Sequence, residues 1–130
     1  MIVVGYSADP FGRAALEHGI GEAKLRGSSL RVVNATAGDA YVDAGFAQST
    51  EVHDIEEQLA NCGVDFELTQ PVGADAAGEL LKTMDRADAE LLVIGIRHRN
   101  PVGKLLLGSV SQQLLLECPK PVLAVKPQDG

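Results

Sequence analysis

The chain has 130 residues, 45% of them hydrophobic, enough to build one buried core, so a single domain over residues 1–130 is expected. Its 11 Lys and Arg against 18 Asp and Glu leave a net charge of −7, which repels a phosphate backbone and argues against non-specific nucleic-acid binding. Met1 to Gly5 carries no basic leader, and no later stretch approaches the ~20 apolar residues of a membrane span, so a cytoplasmic protein without a membrane partner is expected.

In chain order, Ile2 to Gly5 reads as a first strand. Asp9 then caps a helix whose first position is Pro10, where the missing N–H costs nothing, and the helix ends near Gly27. Leu30 to Asn34 is the second strand. Thr36 to Ser49 follows with Gly38, Asp39 and Gly45 and no regular period, a long loop whose role the residues do not disclose. Val52, Ile55, Leu59 and Cys62 form the apolar stripe of a second helix running from a Thr50 cap to Gly63. Val64 to Gln70 is the third strand, and a third helix from about Asp75 to Ala87 turns Leu80, Leu81 and Met84 to the core. Leu91 to Gly95 is the fourth strand. Ser109 with Gln112 makes a capping box ahead of Leu114, Leu115 and Leu116, in a fourth helix that stops at Cys118-Pro119. Val122 to Val125 closes the series as the fifth strand.

Strands alternating with helices predict β-α-β units and a parallel sheet, an α/β three-layer sandwich of flavodoxin-like or Rossmann-like type with five strands and four helices. The second, fourth and fifth strands are near-continuous apolar runs, as strands covered on both faces require. Cys62 and Cys118 have neither metal-ligand nor redox spacing and read as buried thiols, and His18, His53 and His98 fall in separate segments, so no metal site is expected.

Ligands of such sheets bind beyond the carboxyl ends of the strands, where strand order reverses. Two turns compete for that place: Gly5-Tyr6-Ser7-Ala8-Asp9 after the first strand, and Gly95 to Ser109 after the fourth. They line one cleft if those strands are neighbours. The second turn ends at a helix amino terminus, where unpaired N–H groups and the helix dipole favour an anion. Gly108 lets a phosphate approach the backbone there, and Arg97, Arg99 and Lys104 concentrate positive charge in an acidic chain. A solvated loop in which Ser109 only caps its helix fits the same composition, so at this level both readings stay open.

The spacing carries more. The segment resembles the nucleotide loop of the universal stress protein family, which runs Gly, two residues, Gly, nine residues, Gly, then Ser or Thr. Gly95, Gly108 and Ser109 fall at the matching positions behind Leu91-Leu92-Val93-Ile94, and His98 stands in place of the second glycine. Ile2-Val3-Val4-Gly5 with Ala14-Ala15-Leu16 is similar to the family's opening, and Lys120-Pro121-Val122-Leu123-Ala124-Val125 to its closing strand. The resemblance implies a five-stranded sheet, a homodimer through Val122 to Val125, and a regulatory or protective role in stress without catalysis. It also implies an adenine nucleotide, ATP with magnesium. Ser7 stands where the ATP-binding branch carries an aspartate, with Asp9 two residues on; Val33 and Asn34 would lie near the base, Gly95, Arg97, His98 and Arg99 along the loop, and Gly108 and Ser109 at the phosphates. Dimerisation has its own physical basis, since an apolar edge strand leaves backbone groups unpaired, although Pro119, Pro121 and Pro127 can also protect that edge.

Competing motifs are incomplete. Gly103-Lys104 fails as a P-loop, which needs Gly at His98 and Ser or Thr at Leu105, and Gly19-Ile20-Gly21 lies inside a helix with Lys24 where a third glycine belongs. A small hydrolase with Ser7 as nucleophile and His98 as base lacks an orienting third residue, and Asp9 replaces the last glycine of the elbow. A phospho-receiver domain needs an aspartate where Gln70 ends the third strand. The remaining alternative is a nucleotide-free interaction module in which His98 fills the site.

Overall fold

The computed structural model describes residues 1–36, 45–96 and 107–128. Its elements are β1 (Ile2–Gly5), α1 (Pro10–Arg26), β2 (Leu30–Val33), α2 (Ser49–Ala60), β3 (Phe66–Thr69), α3 (Ala76–Met84), β4 (Leu91–Gly95), α4 (Ser109–Glu117) and β5 (Val122–Val125). The strands form one parallel sheet in the order β3-β2-β1-β4-β5. This is the α/β sandwich that the alternation of strands and helices predicts.

From β1 the chain steps outward through β2 to β3, then returns past β1 to β4 and continues to β5. Right-handed crossovers running in opposite directions put α1 and α2 on one face of the sheet and α3 and α4 on the other. Side chains alternate along each strand, so β1 feeds both cores. Ile2 and Val4 pack with Val32, Val93, Leu16, Ile20, Ile55 and Leu59 beneath α1 and α2. Val3 joins Val33, Leu92, Ile94, Leu80, Met84 and Leu114 beneath α3 and α4. Fully buried side chains such as Leu59, Met84 and Leu92 each contribute about 1.5–3 kcal/mol relative to exposure.

The ends of α1 follow local rules. The Asp9 carboxylate accepts the Gly12 N–H, Pro10 opens the helix, and Gly27 closes it at φ 65°, a left-handed position that favours glycine. Two other expected caps shift. α2 begins at Ser49 behind a Gln48 cap residue with no side-chain bond, so Thr50 lies inside the helix and is no cap. α4 is capped by Gly108, and Ser109 is its first helical residue, so the Ser109–Gln112 capping box does not form. The Gln112 side chain donates instead to the Leu107 carbonyl.

The run Leu114-Leu115-Leu116 also divides. Leu114 is buried, whereas Leu115 is 41% and Leu116 84% exposed, because a short helix offers only one face to the sheet. β5 is a sheet edge, and Val122, Leu123 and Ala124 are half-buried, so its apolar run is not covered on both faces. Cys62 and Cys118 are free and half-buried, less enclosed than expected. Among the described residues no helix is long and apolar enough to cross a membrane.

The two glycines of α1 that mimic a dinucleotide fingerprint have separate roles. A Cβ on Gly19 would stand 2.2 Å from Val4 Cγ2, whereas one on Gly21 would meet nothing within 4 Å. Gly19→Ala should therefore destabilise by about 1–3 kcal/mol through overpacking, and Gly21→Ala should stabilise by about 0.5–1 kcal/mol through helix propensity. Urea unfolding of the two variants checks this, with midpoints moving in opposite directions from that of the parent chain.

Candidate functional site

Strand order reverses between β1 and β4, so the turns after them diverge at the carboxyl end of the sheet and leave a crevice. The crevice is a cleft of about 320 Å³. Its floor is Gly5, Ile94 and Gly95, one wall is Ser7, Asp9 and Gly12, and the opposite wall is Gly108, Val110, Ser111 and Leu114 of α4. Val33 and Ala35 after β2, with Ala76 and Leu80 of α3, close a largely apolar end.

Two close backbone approaches build the floor. A Cβ on Gly95 would stand 2.1 Å from the Phe11 carbonyl oxygen, and one on Gly12 would stand 1.8 Å from the Ser7 carbonyl oxygen. No side chain fits at either position, so the first turn of α1 lies directly on the end of β4. Gly108 differs. It has an extended backbone, and a Cβ there would meet nothing within 4 Å among the described residues.

The helix starts at the cleft also differ from one another. The α1 amino terminus is neutralised by Asp9, whose Oδ1 accepts the Gly12 N–H at 2.9 Å and the Ser7 hydroxyl at 2.8 Å. Asp75 likewise caps α3 through the Gly78 N–H at 2.8 Å. Among the described residues no side chain caps α4. Its first-turn N–H groups retain the partial positive charge of a helix amino terminus, beside a cleft whose far wall carries the Asp9 carboxylate.

Tyr6 forms the back of the turn after β1. It is buried and donates to Glu51 Oε1 at 2.6 Å, while Arg13 bonds the same oxygen at 3.3 Å. Burial, and then the hydrogen bond to the Glu51 carboxylate, push the phenol well above its ordinary range.

The expected site residues separate accordingly. Ser7, Val33, Gly95 and Gly108 line the cleft together. Ser109 is exposed and absent from the cleft wall, two helical positions before Ser111, which is part of it. Asn34 is 2% exposed and turned away from the cleft, its amide bonded to the Tyr6 and Gly45 carbonyls and the Ala47 N–H. Arg97, His98 and Arg99 lie outside the described residues, as does Lys104. Reading the sequence missed Gly12, Ala35 and Ser111. Of these only Gly12 left a signal, a glycine in the first turn of a helix, where propensity disfavours it.

A family model described as the universal stress protein family matches residues 1–126. A universal stress protein of Mycolicibacterium smegmatis is 77% identical over 127 residues, 98% of this chain and 98% of that one. Among solved structures, the universal stress protein from Archaeoglobus fulgidus is 29% identical at a TM-score of 0.70, covering 96% of this chain and 97% of that one. A second, the universal stress protein from Archaeoglobus fulgidus in complex with dAMP, is 25% identical at a TM-score of 0.64, with 96% of each chain covered.

The environment of Tyr6 has a measurable consequence. In a Tyr41→Phe variant, where Tyr6 is the tyrosine that remains, tyrosinate absorbance should appear only well above the ordinary ~10. Because the folded pKa lies above the unfolded one, this stabilisation is complete below pH ~10 and is lost as pH rises toward the folded value. An ordinary titration in the folded variant, by absorbance against pH, would contradict the buried Tyr6–Glu51 bond.

Proposed function

Because the chain belongs to the universal stress protein family, we propose that it holds an adenine nucleotide, ATP accompanied by magnesium, in the cleft between the β1 and β4 turns, without efficient turnover. The observation that carries this reading is the start of α4 beside Gly108, which no side chain among the described residues caps, a set of backbone donors at the point where strand order reverses. The dAMP complex of the Archaeoglobus fulgidus protein supports it. A cleft of about 320 Å³ lies at the lower end of small-molecule pockets, typically ~300–1,000 Å³, a size suited to a nucleotide.

In this reading the phosphates meet the N–H groups around Gly108 and the start of α4, and the base takes the apolar end formed by Val33, Ala35 and Leu80. The sugar then lies beside Ser7 and Asp9. Magnesium would enter with the phosphates. Arg97 and Arg99 belong to the loop that joins β4 to α4 and add positive charge to it. The protein acts as a regulatory or protective stress protein of the cytoplasm, a homodimer paired through the edge strand Val122–Val125. His98, in the place of a loop glycine, favours the other reading, a nucleotide-free interaction module.

Calorimetric titration with ATP and magnesium, with AMP beside it, distinguishes the two. Saturable binding is expected in the parent chain. Gly108→Val should abolish it, because the added side chain fills the space the phosphates need, while the unfolding temperature moves by no more than about 2 °C. No heat at millimolar ATP would favour the interaction module, and unchanged affinity in the folded variant would remove the phosphate assignment.

A further inference from the structure

We infer that Asn34 is a positioning residue that sets the nucleoside half of the cleft without touching its occupant. This rests on the nucleotide reading above and assigns to a buried side chain the control of one part of the ligand.

The Asn34 amide uses all of its hydrogen-bonding capacity. Nδ2 donates to the Tyr6 carbonyl and to the Gly45 carbonyl, both at 2.9 Å. Oδ1 accepts the Ala47 N–H at 2.7 Å and the Gln70 side chain at 3.1 Å. With carbonyls facing Nδ2 and donors facing Oδ1, the amide fits in one orientation only. Gln70 extends the network by donating to the Ala47 carbonyl at 2.8 Å, and the Gly45 carbonyl also accepts the Ala8 N–H at 2.9 Å. One buried side chain thus joins the turn after β1, the segment that enters α2, and the end of β3.

The parts so joined border the cleft unevenly. Ser7 lies in the tethered turn between Tyr6 and Ala8, and Val33 and Ala35 flank Asn34 in sequence; all three line the cleft. Gly108 and Ser111, at the opposite wall, take no part in these hydrogen bonds. Loosening Asn34 therefore displaces the walls assigned to base and sugar and leaves the phosphate end in place. A side chain that only stabilised the fold would have no reason to separate those two parts of the ligand.

The test uses the full chain and three nucleotides, AMP, ADP and ATP. Asn34→Asp keeps an oxygen for the Ala47 and Gln70 donors and sets a carboxylate oxygen against the Tyr6 and Gly45 carbonyls. All three affinities should fall in parallel by about tenfold or more, with the gain from each added phosphate retained. Gln70→Ala, which removes one support and leaves Asn34 in place, should cause a parallel fall of about threefold and serves if the first variant does not fold. Affinities within about twofold of the parent in folded variants, or a loss that grows with the number of phosphates, would overturn the assignment. If the parent chain binds none of the three, the nucleotide reading fails by itself and amide exchange decides the positioning role. The Ala8 and Ala47 amides should then exchange about tenfold faster in Asn34→Asp, and unchanged rates would overturn it.

Discussion

The structure depends on the contact between the first turn of α1 and the end of β4. With 2.1 Å between a hypothetical Gly95 Cβ and the Phe11 carbonyl oxygen, only a glycine lets the two backbones meet. That meeting makes a closed floor at the point where strand order reverses. The same contact holds the Ser7–Asp9 turn at a fixed height above the sheet, because Gly12 must in turn admit the Ser7 carbonyl.

A rigid floor makes the polarity of the walls meaningful. α1 and α3 spend a carboxylate each on their own amino termini, Asp9 and Asp75, whereas α4 presents a glycine. A helix start without a side-chain partner draws its partners from water or a ligand. The Ser7 hydroxyl is spent on Asp9, so that wall offers oxygen acceptors, and the α4 wall offers N–H donors. A molecule that is anionic at one end and carries hydroxyl donors toward its middle satisfies both walls at once. This complementarity, more than the volume of the cleft, is what supports the proposed nucleotide.

Much of this was legible in the residues because it follows local rules. The strand and helix order comes from alternating apolar runs, and the ends of α1 from Asp9-Pro10 and Gly27. The glycines of the loop were legible as a pattern, but their physical roles were not. Gly95 is required by the Phe11 carbonyl, a partner 84 residues away in the chain, and Gly108 by nothing among the described residues. α4 starts at Ser109 as expected, but its cap residue lies one position earlier, for a related reason. Ser109 followed by Gln112 satisfies the rule for a capping box, yet Gln112 turns to the Leu107 carbonyl and Gly108 becomes the cap residue. A rule based on neighbours cannot register that choice.

Asn34 illustrates where such reading reaches its limit. As a polar residue at the carboxyl end of a strand, it has the position of a ligand contact, and only the structure turns it inward. There it meets the cost of burying an amide by filling every hydrogen-bonding position with backbone and Gln70. An apolar side chain in its place would leave the Gly45 and Tyr6 carbonyls and the Ala47 N–H competing for other partners. The backbone of residues 45–47 has little regular structure of its own, so a side chain has to supply what a sheet neighbour supplies elsewhere. The polar residue at the strand end is therefore needed even if nothing ever touches it, and a functional role for it has to be transmitted through the turns that it holds.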